Sequence, residues 1–235
     1  MSTYRRPVVV TGPFRDAGGA VIPYGDRWGP DGPPGDSYSV VTHPERFRSL
    51  HAVADALVAD LVARFDLEVS EVSAISEISA ISEISAISGA SGPTGDTGDT
   101  AELRPDTVLR TTSLRPRDPA AAALSVRWTA CPGLVVAAGS WWRSSLPGCG
   151  CDACDDDVEQ LADGLEWTVG AITAGAFREW RGRRADRVWH GHALGPYAGG
   201  SSSGESWAAT EDEQDIGAAG PSDRRWAPWP TRRDS

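Results

Sequence analysis

Apolar residues recur at helical spacing in two separate stretches of the chain. In the first, Thr42 and Glu45 have the spacing of a capping box and Pro44 suits a first helical turn. The apolar stripe that follows consists of Phe47, Leu50, Ala54, Leu57, Leu61 and Phe65. This pattern predicts a helix over residues 42–66 with one face against a core.

The second apolar stripe predicts a helix over residues 155–180. Asp155, Asp156 and Asp157 stand at its start, and several arginines stand at its end, as the helix dipole favours. The stripe consists of Val158, Leu161, Leu165, Val169, Ile172, Ala176 and Trp180. The basic run from Arg178 to Arg187 is therefore interpreted as dipole compensation, in preference to an anion-binding or nucleic-acid-binding patch.

Between these stretches the period of the pattern changes to two. Apolar and polar residues alternate over residues 124–129, and Pro132 and Gly133 predict a turn into a second strand at residues 134–138. Further strands are predicted at residues 107–114 and 186–194. The predicted fold class is α+β, with a small antiparallel sheet of three to four strands and both helices packed on one face.

The two ends of the chain have a different composition. Residues 1–41 are rich in Gly and Pro and predict an extended N-terminal arm, in which Tyr24 and Trp28 are the expected anchors. Residues 198–235 predict a flexible acidic linker followed by a Trp/Pro tail. Trp226 and Trp229 in this tail are expected to dock on the domain, the alternative being that they are presented to a partner.

Residues 69–100 form a low-complexity insert of Ile-Ser-Glu and Gly-Asp-Thr repeats. Its apolar residues recur every third position, so on an α-helix they rotate around the axis and on a strand they change faces. We therefore predict a variable loop or frayed helical extension, with a self-pairing adhesive segment as the alternative. Residues 42–68 and 101–197 are then expected to form a single α+β domain.

Charge and hydropathy narrow the class of protein. The chain has 22 basic residues, all of them Arg, against 33 acidic residues, and its net charge of −11 makes nucleic-acid binding an unfavoured function. No stretch approaches the roughly 20 apolar residues that span a bilayer, and the start of the chain lacks the apolar core of a signal peptide. A cytoplasmic protein with reduced thiols is expected.

Three cysteines carry the strongest chemical signal. Cys149, Cys151 and Cys154 lie on a Gly-containing turn before the second helix, so that several thiolates can converge on one metal ion. Zinc is the expected metal. The candidates for a fourth ligand are His190 and His192, which share one face of a strand, together with Cys131 and the adjacent Asp152.

Two other interpretations of these cysteines remain open. Small buried thiols commonly have no ligand, and an incomplete set of cysteines fits that interpretation. A redox or nucleophilic role is also open, because the dipole at the start of the second helix favours a thiolate at Cys154.

The sequence contains no Gly-rich phosphate loop, nucleophile elbow or paired-carboxylate motif. His43 and His51 flank the first helix and are interpreted as boundary residues, not catalytic bases. The leading hypothesis is a binding or scaffold protein with an unidentified partner. The alternative is a metal-dependent or thiol-dependent enzyme that uses the three cysteines.

Four segments resemble a family of actinobacterial (Streptomyces-type) proteins of unknown function. They have the sequences YGDRWG at residues 24–29, THPERF at 42–47, CGCDACD at 149–155 and RWAPWP at 225–230. The resemblance extends over nearly the whole chain and implies no activity. The repeat tract at residues 69–91 departs from it and is interpreted as an insertion.

Overall fold

The computed structural model describes residues 4–73, 107–184, 187–207 and 222–232. Three antiparallel sheets and two helices make up this part of the chain. In chain order the elements are β1 (Phe14–Arg15), β2 (Val21–Ile22), α1 (Ser49–Arg64), β3 (Leu67–Ser73), β4 (Val108–Pro116), β5 (Leu124–Thr129), β6 (Gly133–Ala138), β7 (Trp142–Leu146), α2 (Val158–Thr173), β8 (Phe177–Arg184), β9 (Arg187–Tyr197), β10 (Gly200–Trp207) and β11 (Ser222–Arg225).

The predicted fold class is wrong, because the protein is mostly β. The strands form a two-stranded sheet, a five-stranded sheet in the order β3-β4-β5-β6-β7 and a four-stranded sheet in the order β10-β9-β8-β11. A single sheet of three to four strands was expected. The difference arises mainly after residue 176, where the expected helix gives way to a second sheet.

Alternation of apolar and polar residues explains the five-stranded sheet. The predicted hairpin is confirmed, since β5 pairs with β6 and Trp128 lies opposite Leu134. The strand predicted at residues 107–114 is also confirmed as β4, which pairs with β5. Leu124, Val126 and Trp128 point inward and are buried. Their burial places one face of this sheet against the core.

The first helix is confirmed, but its predicted cap is wrong. A 3-10 turn at Pro44–Arg48 leads directly into α1, and no side chain caps either segment. The hydroxyl of Thr42 donates instead to the carboxylate of Asp152. Leu50, Leu61 and Phe65 of the predicted stripe are buried in the core.

The second helix is confirmed, but it begins at Val158, three residues later than predicted, and it ends early. Asp157 accepts hydrogen bonds from the N–H groups of Glu159 and Gln160 at the helix start. Gly175 then adopts φ +75°, and a Cβ there would lie 2.5 Å from the backbone nitrogen of Pro228. The chain therefore turns away from the helix and continues as β8. The dipole interpretation of Arg178, which lies on this strand, is wrong.

One hydrophobic core connects the helices, the five-stranded sheet and the C-terminal tail. The expectation that Trp226 and Trp229 dock on the protein is confirmed, since they are only 8% and 4% exposed. Burial of both indoles contradicts the alternative that the tail is presented to a partner. Trp229 donates from its indole nitrogen to the carbonyl of Ala122 at 2.8 Å.

A buried carboxylate joins the tail to both large sheets. Glu179 on β8 accepts hydrogen bonds from the backbone N–H groups of Ser140, Trp141 and Trp142 at 2.9–3.1 Å, and from the indole of Trp226 at 3.0 Å. These four donors satisfy a carboxylate that is wholly removed from solvent.

The N-terminal arm, which was expected to be extended, contains two short regular elements, the hairpin of β1 and β2 and a 3-10 turn at Gly35–Ser37. Of the low-complexity insert, residues 69–73 continue β3, and the remainder lies outside the described residues. Strands β10 and β11 occupy part of the stretch where a flexible linker was predicted. Within the described chain, neither helix is long and apolar enough to cross a membrane.

Candidate metal centre at the cysteine turn

The cysteine turn connects β7 to α2, and a glycine defines its shape. Gly150 adopts φ +79°, and a Cβ at this position would lie 2.9 Å from Cγ of Pro147 and 3.4 Å from the ring of Phe47. An L-residue with a side chain is therefore strained here on two grounds, backbone conformation and space. The turn closes with a hydrogen bond from the N–H of Cys154 to the carbonyl of Cys151 at 3.1 Å.

The N-terminal arm holds this turn in place through backbone hydrogen bonds. The N–H of Asp152 donates to Val40 at 2.7 Å, and the N–H of Ala153 donates to Ser37 at 3.1 Å. The indole of Trp28 donates to the carbonyl of Asp152 at 3.1 Å. Trp28 therefore anchors the arm, as the sequence predicts, and what it anchors to is the cysteine turn.

Asp152 occupies the centre of a buried ionic network. Its carboxylate accepts from the backbone N–H of Thr42 at 3.2 Å and lies 3.6 Å from Arg27 and 3.5 Å from Arg46. Burial opposes ionisation of Asp152, but the hydrogen bonds from Thr42 and the two guanidinium groups outweigh it and lower its pKa. Asp152 is thus an ionised structural residue, and its oxygens are engaged by the protein.

Arg46 is a buried residue that connects the cysteine turn to two aromatic rings. Its guanidinium stacks on the rings of Tyr24 and Phe47, at 3.9 and 4.3 Å from the ring centroids, and donates to the carbonyl of Gly150 at 3.2 Å. Only 2% of this arginine is exposed. Planar arginine suits such a sandwich because it stacks and donates at the same time. The sequence analysis did not identify Arg46. The available signal is its position directly before Phe47, the first residue of the apolar stripe.

The three thiol groups converge at this turn. The sulfur atoms of Cys149, Cys151 and Cys154 all lie within 4.8 Å of one another. Cys151 and Cys154 are hydrogen-bonded through their sulfurs at 3.6 Å. Cys151 is buried, whereas Cys149 and Cys154 are exposed. The cluster therefore has one ligand atom inside the protein and two at its surface, and it can hold a metal ion.

The thiols of Cys151 and Cys154 differ in acidity. Hydrogen bonds from the Cys149 side chain and the Cys154 backbone lower the pKa of Cys151 to about 7. The pKa of Cys154 rises to about 12, first because it is hydrogen-bonded to Cys151 and then because of burial. A thiolate at neutral pH is thus expected at Cys151, and not at Cys154 as the helix dipole had indicated.

The histidines proposed as further ligands lie on β9, away from this turn. His190 forms a hydrogen bond through Nε2 with Ser206 at 3.0 Å, and the ring of His192 packs 6.0 Å from that of Trp142. Burial and the neighbouring His190 lower the pKa of His192. Among the described residues, the group whose ligand atoms converge contains the three cysteines and neither histidine. Cys131 lies in the turn between β5 and β6.

His43 and His51 both have structural contacts. His43 lies 2.8 Å from Glu45 through Nδ1 and 2.8 Å from the carbonyl of Arg15 through Nε2. His51 lies 2.9 Å from the carbonyl of Gly133. These contacts fit the boundary role that the sequence predicts for both.

The segments at residues 24–29, 42–47 and 149–155, which carry the resemblance noted in the sequence, meet at this one corner. Gly25 reinforces the contact: it has φ +94°, and a Cβ there would lie 2.9 Å from Cβ of Asp157. No curated protein and no solved structure matches the chain. The model of a family of unknown function, DUF6226, matches residues 10–233, and the chain therefore belongs to that family.

Proposed function

We propose that this protein binds one zinc ion through Cys149, Cys151 and Cys154, and that the ion stabilises the corner where the N-terminal arm joins α2. The observation that carries the proposal is the convergence of three sulfurs within 4.8 Å. Tetrahedral zinc with Zn–S bonds of about 2.3 Å needs sulfurs roughly 3.8 Å apart. The Cys151–Cys154 separation of 3.6 Å already satisfies this, so only small side-chain rotations are required.

The rigid surroundings support the same proposal. The turn accepts a hydrogen bond from the indole of Trp28 and donates hydrogen bonds to the carbonyls of Ser37 and Val40. These bonds hold its backbone in place without a metal ion. A pre-formed site avoids much of the ordering cost of metal binding. The acidic Cys151 thiol supports it too, because zinc binds thiolates and less proton release is needed at neutral pH.

Three protein ligands leave one coordination position for water or for a ligand from elsewhere. Because Cys149 and Cys154 are exposed, that position faces solvent. Because the Asp152 carboxylate is engaged by Thr42, Arg27 and Arg46, Asp152 is not the proposed fourth ligand. We propose a binding or scaffold role in a reducing cytoplasm, in which the metal corner presents a surface to a protein partner.

The test is metal analysis of purified protein kept under reducing conditions. One equivalent of zinc is expected in the wild type, and less than a third of an equivalent in Cys151→Ser. Cys131→Ser is the matched control and should retain its zinc, because Cys131 is outside the cluster. Metal-free wild type that also fails to take up added zinc would contradict the proposal.

A thiol-dependent enzyme is the second candidate, favoured by the lowered pKa of Cys151. Alkylation by iodoacetamide, read out by mass spectrometry on metal-free protein, separates the two. An enzyme nucleophile should make Cys151 react at least tenfold faster than Cys131 at pH 7. Slow labelling of Cys151, which is only 3% exposed, would support the metal-binding role.

A further inference from the structure

A groove of about 480 Å³ lies on the face of the five-stranded sheet that is turned away from the core. Its floor is made of small side chains. Ser113 on β4 pairs with Ser125 on β5, which in turn pairs with Ala137 on β6, so the three lie side by side. Because these side chains are short, the floor is low and leaves room above it.

Three arginines surround this floor. Arg127 is two residues from Ser125 on β5, Arg115 is two residues from Ser113 on β4, and Arg143 on β7 pairs with Ala137. With strands about 4.8 Å apart and a rise of about 3.3 Å per residue, their Cα atoms lie within about 10 Å of that of Ser125. Because all three residues lie on the same face of the sheet, extended arginine side chains are long enough to approach a ligand that sits above Ser125.

The charge of the groove is unusual for an acidic protein. None of the residues that line it is acidic. Within the described chain, Arg115 and Arg127 form no ion pair, although other arginines, such as Arg110 with Asp55, do. Glu68, which lies across the strand from Arg115, binds Arg117 instead, at 3.3 Å. Arg115 and Arg127 thus bring to the groove positive charge that no ion pair of the described residues neutralises.

One wall of the groove is aromatic and well fixed. Trp141 lies in the turn between β6 and β7, and its indole nitrogen donates to the carbonyl of Gly191 on β9 at 3.4 Å. Hydrogen bonding of its backbone N–H to the buried Glu179 fixes the main chain as well. This wall offers a flat apolar surface beside the arginines.

We propose that this groove binds a small phosphorylated organic molecule with at least two negative charges. Guanidinium groups match phosphate oxygens in a bidentate geometry, and two or three of them around one point favour a dianion over a monoanion. The organic part packs on Trp141. The volume lies in the range of small-molecule sites, about 300–1,000 Å³.

The test is calorimetric titration of the full-length protein with ADP, glucose 6-phosphate and citrate at low ionic strength. We expect at least one of the two phosphates to bind with a Kd below about 1 mM and more tightly than citrate. Arg127→Ala should weaken that binding at least tenfold. Ser125→Phe fills the floor without changing charge and should abolish it.

Arg48→Ala is the matched control, since Arg48 is an exposed arginine outside the groove. It should bind the phosphate like the wild type, and thermal unfolding should show that all variants remain folded. The proposal is overturned if neither phosphate binds the wild type, if citrate binds more tightly, or if Arg127→Ala and Arg48→Ala have equal effects.

Discussion

The carboxylate of Glu179 accepts a hydrogen bond from the indole nitrogen of Trp226 at 3.0 Å, and both side chains are buried. This contact links β8 to the C-terminal tail. The same carboxylate also accepts from three consecutive backbone N–H groups at the turn between β6 and β7. One side chain therefore connects both large sheets and the tail.

Glu179→Gln should lower the free energy of unfolding by about 3 kcal/mol or more, because the amide NH₂ faces N–H donors and leaves at least two of them without an acceptor. Glu205→Gln is the control, since exposed Glu205 accepts a similar bond from Trp180 at 3.0 Å. Glu205→Gln should lower the free energy of unfolding by less than about 1 kcal/mol. Urea denaturation measures both, and equal costs would contradict the central role of Glu179.

Asp152→Asn should destabilise the protein by about 3 kcal/mol, because it leaves the buried charge of Arg46 without its partner. The comparison is Asp156→Asn. Burial raises the pKa of Asp156, so a neutral amide replaces an ion that the site disfavours, and the cost should be below about 1 kcal/mol. A ranking in the opposite order, measured by denaturation at pH 7, would be inconsistent with the ionic network described above.

Gly150→Ala should destabilise the cysteine turn, because alanine is strained at φ +79° and its Cβ would contact Pro147. We expect Gly150→Ala to lower the free energy of unfolding by about 2 kcal/mol and to weaken zinc retention. At Gly148 a Cβ has nothing within 4 Å, so Gly148→Ala is the control and should retain zinc. Denaturation combined with competition against a chelator measures both quantities, and equal behaviour of the two variants would argue against a shape-dependent site.

The two histidines beside α1 should affect the pH dependence of stability with opposite signs. Burial lowers the pKa of His51, so its protonation favours the unfolded chain and stability falls as the pH drops below about 6.5. The hydrogen bond to Glu45 raises the pKa of His43, so its contribution is full below about 6.5 and is lost as the pH rises through the higher folded pKa.

Unfolding free energies of His51→Gln and His43→Gln between pH 5 and 8 test this prediction. Relative to wild type, His51→Gln should lose less stability towards pH 5. His43→Gln should show the reverse, with its largest deficit at pH 5. Parallel curves for the two variants would contradict the opposite shifts.

Local patterns predicted the elements whose signal is contained in one segment. The period-two pattern of residues 124–138 identifies the hairpin, and the stripe that includes Leu50 and Leu61 identifies α1. The end of α2 could not be found in the same way, because Ala176 and Trp180 continue the helical spacing into a strand. What stops the helix is Gly175 packed against Pro228, more than 50 residues later in the chain. A prediction made from a short stretch of sequence cannot detect such a long-range contact.

The cysteine turn was partly predictable for the same reason. Its three thiols are close in sequence, so their convergence could be foreseen, and the structure brings them together. The contacts of Asp152 with Thr42 and Arg46 join residues more than 100 positions apart. A local sequence pattern cannot predict such contacts. The role of Thr42 was misassigned because its spacing to Glu45 matches a capping box that the fold does not use.

The pairing of Ser73 with Arg110 at the open end of β3 and β4 brings together the two points where the chain departs from and returns to the five-stranded sheet. Seven consecutive residue pairs, from Leu67 with Pro116 to Ser73 with Arg110, fix the register of these two strands. Duplication or loss of repeat units in the sequence between these points leaves the residues of all seven pairs unchanged. The same junction is a natural place to graft an epitope or a reporter domain.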